Sequence, residues 1–169
     1  FLECMHNGLS REVIMNINGE VQCELDKMEN IVSQHPRRIA RESVMQALYA
    51  QELNNDTPED ILELYAKSYK SPDDTDYMRQ LFFCVIENKT WADELICKCL
   101  ENWEYERVAI VDKILLRMGV SEIYHMDDIP PKVSISEMVE IAKVFSTEES
   151  SSFVNGILDT IYKNFKDKT

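Results

Sequence analysis

The chain has 169 residues, 44% of them hydrophobic and 29% charged, which is enough for one compact domain with an apolar core. Its net charge is −13, from 18 Lys and Arg against 31 Asp and Glu, and such acidity repels nucleic acid at long range. Only four glycines are present, so tight turns are few and an all-β fold is disfavoured.

The cysteine and hydropathy patterns disfavour two further classes. Five cysteines, an odd number at irregular spacing, do not suit a disulfide framework and favour reduced thiols. No apolar run reaches the roughly 20 residues that span a bilayer. The N-terminus lacks the basic and then apolar pattern of a signal peptide. We therefore expect a cytoplasmic protein without a membrane partner.

The first 35 residues differ from the rest of the chain. Residues 1–35 show no sustained hydrophobic period and do not begin with methionine. We predict that they form a poorly ordered N-terminal extension. Residues 36–169 are predicted to form one helical domain.

From Pro36 onward the sequence predicts consecutive amphipathic helices. The first follows Pro36, and its apolar residues recur at the spacing of one helix face. These residues are Ala40, Val44, Ala47 and Leu48. Thr57 supplies an N-cap and Pro58 the first position of the second helix. Residues 77–100 predict two more helices, with a break near residues 88–90. The core stripe predicted after the break is Trp91, Leu95, Ile96 and Cys99.

Three further helices complete the prediction. Residues 106–125 predict a long helix, and the Pro130-Pro131 pair ends that pattern because proline does not continue a helix. Ser134 to Glu137 match a capping box that would open the next helix. Residues 147–150 would open the last one. The total is about seven helices without a strand, which predicts an all-α fold.

An arginine cluster at the start of the first helix departs from the acidic background. Arg37, Arg38 and Arg41 lie within five residues, whereas residues 37–169 carry 16 basic and 25 acidic residues, a net charge of −9. Helical spacing of ~100° per residue lets the group face solvent beside the apolar stripe. The helix dipole favours acids at this position, so the arginines indicate another use.

The chemistry of arginine suits RNA, because its planar guanidinium donates paired hydrogen bonds and stacks on bases. The alternative is a solvated charge cluster, paired with Glu42 or with a neighbouring helix.

Two segments of the chain carry several distinctive motifs. Residues 37–53, RRIARESVMQALYAQEL, have an arginine-rich start followed by an ARE…QALY pattern. Residues 112–161 combine an LR pair, a DIPPKVSI linker, an EMVEIAK helix and an FVNG motif. Several separate motifs therefore occur in the same order as in the NusB family of bacterial antitermination factors, which the chain resembles.

The resemblance implies a fold and a function. The family is all-helical, with two small bundles packed together. It binds a short single-stranded RNA element, boxA, together with a small-subunit ribosomal protein that acts as an antitermination factor. The assembly accompanies the RNA polymerase elongation complex and supports transcription of ribosomal RNA. It implies no catalysis, cofactor or metal, and it leaves a homodimer open, since some members form dimers that hide the arginine helix.

The resemblance also assigns functional positions residue by residue. RNA contacts fall on Arg37, Arg38, Arg41, Lys132 and Lys143. Ile39 stands where many members have a further arginine. A surface near the RNA and the partner falls on Glu149, Ser150, Phe153 and Asn155. Gly156 is expected to allow close helix packing, and Arg117 is expected to find an acidic partner at the edge of the core.

No catalytic constellation is evident in the sequence. Cys97 and Cys99 point different ways on a helix, and the three histidines are scattered, so neither zinc nor a catalytic triad is expected. Two alternatives stay open. One is a protein-only adaptor that has lost RNA binding, favoured by Ile39 and the acidic charge. The other is the NusB-like domain of a ribosomal RNA methyltransferase, disfavoured because 169 residues leave no room for a cofactor-binding domain.

Overall fold

The computed structural model describes residues 36–54, 56–67, 72–100 and 104–166, so the predicted N-terminal extension lies outside the described residues. Within these ranges there are seven α-helices and no strand, which confirms the all-α prediction. In chain order the helices are α1 (Pro36–Leu53), α2 (Pro58–Ala66), α3 (Pro72–Glu87), α4 (Lys89–Cys99), α5 (Ile110–His125), α6 (Pro131–Phe145) and α7 (Glu148–Lys166). No described helix is both long and apolar enough to cross a membrane.

Local sequence signals explain several helix boundaries. The Thr57 hydroxyl accepts a hydrogen bond from the Asp60 backbone N–H at 3.3 Å, which confirms the predicted N-cap of α2. The predicted break before α4 falls at Asn88. Thr147 caps α7 in the same way, accepting from the Ser150 N–H at 3.2 Å.

Two predicted helix starts are wrong. A short 3₁₀ turn, Tyr105–Arg107, precedes α5, which begins at Ile110 and not at residue 106. Helix α6 begins at Pro131 and not after a capping box at Ser134, because the fixed φ of proline suits the first helical turn. Ser134 is therefore buried inside α6, and its hydroxyl finds no hydrogen-bond partner among the described residues.

Helix α5 lies between two groups of helices. On one side it packs against α1 and α3, which together with α2 form the first bundle. On the other side it packs against α4, α6 and α7. Most of its residues are buried, including the polar Asp112, Arg117 and Glu122. Each charged group on this helix therefore needs a partner from another element.

Arg117 has such partners on two helices, as the sequence predicted. Its Nε and Nη2 donate to both carboxylate oxygens of Asp93 on α4, at 2.6 and 2.9 Å. Its Nη1 donates to Glu52 on α1 at 2.9 Å. Burial alone would raise the pKa of Glu52, but its hydrogen bond with Lys89 and the charge of Arg117 lower it overall. The hydrogen bonds of Arg117 with Asp93 and Glu52 thus join α1, α4 and α5.

The predicted core stripe of α4 is only partly correct. Ile96 is fully buried, but Trp91 is 39% exposed. The Trp91 ring packs edge-on against Tyr124 and His125, with centroids 5.1 and 5.4 Å apart. Helix α4 packs mainly against α5 and α7, and its large indole lies at the margin of the core.

Close packing of α5 against α7 depends on Gly119, and the expectation for Gly156 is wrong. A Cβ atom at Gly156 would meet nothing within 4 Å. A Cβ atom at Gly119 would lie 2.7 and 2.8 Å from the two methyl carbons of Leu158, a fully buried residue of α7. An alanine at this position would therefore force the Leu158 side chain to shift within the core.

We expect Gly119→Ala to lower the free energy of unfolding by about 1 kcal/mol. Overpacking costs roughly 1–3 kcal/mol, which exceeds the gain of up to ~1 kcal/mol in helix propensity. Gly156→Ala is the matched control and should raise the free energy of unfolding by about 0.5–1 kcal/mol. Urea unfolding followed by circular dichroism measures both. Equal stabilisation of the two variants would contradict the packing argument.

Candidate nucleic-acid interface

The arginine cluster occupies the first two turns of α1, at its junction with α3, α5 and α6. Helix α1 buries Ala40 and Val44 against the core. Arg41 lies three residues before Val44, on the same side of the helix, and is itself buried. The prediction that the whole cluster faces solvent is therefore wrong for Arg41. Arg37 and Arg38 are partly exposed, with 38% and 28% of their side chains accessible.

Arg41 forms a buried ion pair with Glu122 of α5. Its Nε donates to Glu122 Oε1 at 2.8 Å and its Nη2 to Oε2 at 3.1 Å. The Tyr77 hydroxyl of α3 donates to the same carboxylate. Burial alone would lower the pKa of Arg41, but the hydrogen bond and charge of Glu122 raise it overall, so the guanidinium stays charged. Burial and Glu122 both raise the pKa of Tyr77, which keeps its hydroxyl a donor.

Arg38 forms a second bidentate pair, with Glu137 of α6. Its Nε and Nη2 donate to the two carboxylate oxygens at 2.8 and 2.7 Å. The hydrogen bond raises the pKa of Arg38. Because Nε and Nη2 form one edge of the guanidinium, the edge that carries Nη1 is left for a further acceptor.

Arg37 is held mainly by an aromatic ring. Its guanidinium carbon lies 4.5 Å from the centroid of the Tyr77 ring, within the range of a cation–π interaction. Its Nη1 lies 3.7 Å from Asp128 Oδ2, a long contact with an exposed carboxylate. Each of the three arginines thus faces an acid from another part of the chain, which matches the charge-paired alternative raised by the sequence.

The two predicted RNA-contacting lysines lie at opposite ends of α6. Lys132 is exposed in the first turn, and Lys143 is exposed near the last turn. Lys143 donates to Glu140 at 2.6 Å. Eleven residues separate the two lysines, about 16 Å along the helix. They do not form one cluster with each other.

Three of the four predicted partner-surface residues share a groove. Glu149, Ser150 and Phe153 of α7 line a cavity of about 250 Å³ together with the stretch before α5. The other lining residues are Arg107, Val108, Ala109 and Asp112. Asn155 is exposed and lies about 200° around α7 from Phe153, outside this groove.

Hydroxyl groups connect the floor of the groove. The Ser146 hydroxyl lies 2.9 Å from the buried Asp112 carboxylate and 2.8 Å from the Ser150 hydroxyl. Hydrogen bonds from the Glu149 backbone N–H and the Thr147 side chain lower the pKa of Glu149. An ionised carboxylate at the start of α7 is also favoured by the helix dipole. The groove therefore combines a half-buried aromatic ring with both signs of charge.

The arginine cluster and the groove lie toward opposite ends of α5. Asp112 is in the first turn and Glu122 in the last, about 15 Å apart along the axis. A single small ligand cannot contact both regions, whereas an extended nucleic acid or a protein surface can.

Sequence reasoning missed Tyr77 and Arg107 and misread Glu137. The Tyr77 ring supports the Arg37 guanidinium, but in the sequence Tyr77 looks like one more apolar residue of α3. Glu137 was assigned to a capping box, although it binds the cluster on α1. Arg107 has no motif, and only the turn before α5 brings it to the groove.

Comparisons with known proteins agree with this architecture. Residues 38–163 match the model of the NusB family. The transcription antitermination protein NusB of Chloroherpeton thalassium is 42% identical over 142 residues, which cover 78% of this chain and 64% of the relative. The protein of the same name from Listeria innocua is 44% identical over 125 residues, which cover 74% of this chain and 94% of the relative.

Solved structures show the same fold. NusB of T. maritima superposes with a TM-score of 0.71 at 37% identity, covering 77% of this chain and 92% of that one. A NusB in a crystal structure of the antitermination factors NusB and NusE with double-stranded RNA superposes with a TM-score of 0.70 at 27% identity, covering 76% and 97%. On the family match, these identities and the shared helical fold, the chain belongs to the NusB family.

Proposed function

We propose that this chain is a cytoplasmic transcription antitermination factor that binds single-stranded boxA-type RNA together with a small-subunit ribosomal protein. Residues 36–169 form its RNA-binding domain. It acts without catalysis, cofactor or metal, as part of the RNA polymerase elongation complex, and supports ribosomal RNA transcription.

The observation that carries this proposal is the presentation of Arg37. Its side chain is partly exposed, and its guanidinium is fixed over the Tyr77 ring. A fixed guanidinium loses little side-chain entropy when it binds a phosphate. Support for the partners comes from the relatives: one solved NusB is in complex with NusE and RNA.

A protein-only adaptor is the second candidate, and a specific observation favours it. Arg37, Arg38 and Arg41 all have acidic partners within the chain, so the cluster adds little net positive charge to an acidic surface. The groove at Phe153 does not depend on that charge. An adaptor would keep partner binding and show no effect of RNA.

Replacing Arg37 by glutamine should weaken binding of a short, labelled boxA-like RNA about fivefold or more, because a charged hydrogen bond to phosphate is lost. The slope of log affinity against log salt should fall by ~0.7 for each lost contact. Fluorescence anisotropy, with and without the ribosomal partner, measures both. Arg79→Gln is the matched control, since Arg79 is exposed on α3 and carries the same charge. An equal loss in both variants would indicate unspecific attraction only.

For Arg41, which is buried, the expected effect of substitution is a loss of stability. Arg41→Ala should lower the free energy of unfolding by about 3–5 kcal/mol, because Glu122 is left buried and unpaired. Adding Glu122→Gln should recover part of that loss, since the orphaned charge is removed. Urea unfolding of the single and double variants measures the effect. If Arg41→Ala is as stable as the parent but loses RNA affinity, then Arg41 contacts RNA directly.

Phe153→Ala should weaken the complex with the ribosomal partner about fivefold or more, since truncation removes the aromatic wall of the groove. Phe165→Ala is the control, because Phe165 is also half-buried but lies at the other end of α7. Both changes should destabilise the fold to a similar degree. Titration of the labelled partner, followed by anisotropy, separates the effects. Similar affinities of the two variants would show that the groove is not the partner surface.

A further inference from the structure

The three acids that face the arginine cluster hold it with very different strength. Glu122 is buried and makes two hydrogen bonds with Arg41. Glu137 is 15% exposed and makes two short bonds with Arg38. Asp128 is 66% exposed and reaches Arg37 through one contact of 3.7 Å. An exposed single contact of this length is the weakest of the three.

Arg37 does not need Asp128 to stay in place. Its guanidinium rests on Tyr77, whose ring is buried and whose hydroxyl is bound to Glu122. The Tyr77 ring that supports Arg37 is therefore part of the core. Removing the Asp128 carboxylate would take the acid away from Nη1 of Arg37 without removing the ring that supports the side chain.

The loop that carries Asp128 is itself anchored. Met126 and Ile129 on either side of it are buried, and the Ile129 N–H donates to the Met126 carbonyl at 3.0 Å. The backbone thus keeps the carboxylate near Arg37 while the side chain stays in solvent. Asp128 is therefore positioned to contact the Arg37 guanidinium when no other anion is bound there.

We infer that Asp128 is an intramolecular competitor for the phosphate site at Arg37, displaced when RNA binds; this rests on the function proposed above. A carboxylate and a phosphate offer the guanidinium the same kind of anionic oxygen acceptor. The competition weakens RNA binding by the isolated chain. Glu122 and Glu137 hold their arginines by two bonds each and remain in place.

The test compares two neighbouring aspartates. Asp128→Asn should tighten binding of a short, labelled boxA-like RNA about two- to fivefold at low salt, the range expected for an exposed ion pair. Asp127→Asn makes the same change in charge one residue away, at an exposed side chain that does not pair with an arginine among the described residues. It should change affinity less than about twofold. Salt should reduce the difference.

A double-variant cycle ties the effect to Arg37. In an Arg37→Gln background, Asp128→Asn should have no more effect than Asp127→Asn, because the site for which it competes is gone. Circular dichroism and thermal unfolding of every variant should match the parent.

The outcomes separate the two proposals. If the parent binds RNA and the two aspartate variants behave alike, or if Asp128→Asn weakens binding, then the competitor role is wrong and the RNA-binding function stands. If no variant binds RNA, with or without the ribosomal partner, then the proposed function fails and the competition fails with it.

Discussion

The structure depends on the buried pair of Arg41 and Glu122. It links α1 of the first bundle to α5, which also packs against α4, α6 and α7. An ion pair removed from water loses hydration energy that hydrophobic side chains would not lose. Its geometry compensates in part, because two guanidinium bonds and the Tyr77 hydroxyl satisfy the carboxylate. The same pair fixes the start of α1, and with it the directions in which Arg37 and Arg38 leave the surface.

Much of the fold could be predicted from periodicity and caps, because those signals are local. Thr57 and Asn88 mark helix boundaries that the structure shows where the sequence placed them. The burial of Arg41 could not be predicted this way. A helical projection relates Arg41 to the apolar stripe of its own helix, but it contains no information about where α5 places Glu122. The capping box predicted at Ser134 is wrong for a local reason, because α6 already begins at Pro131, one turn earlier.

The candidate site shows a similar division. Family motifs brought Glu149, Ser150 and Phe153 to attention together, and the structure places them in one groove. Periodicity could not reveal that Tyr77 supports Arg37, because a buried tyrosine looks like any other apolar residue in α3. The difference between Gly119 and Gly156 is also tertiary in origin. Only the position of Leu158 on the facing helix decides which glycine is needed.

The position of α5 between the two groups of helices has a thermodynamic consequence. A bundle can open separately only when few buried contacts cross to its neighbour. Here one helix contributes core side chains to both groups, and its charged residues bind partners on α1, on α4 and at Ser146, between α6 and α7. If either group of helices unfolded, the buried charged residues of α5 would lose their partners. The described helices should therefore melt in one cooperative, two-state transition rather than as two successive modules.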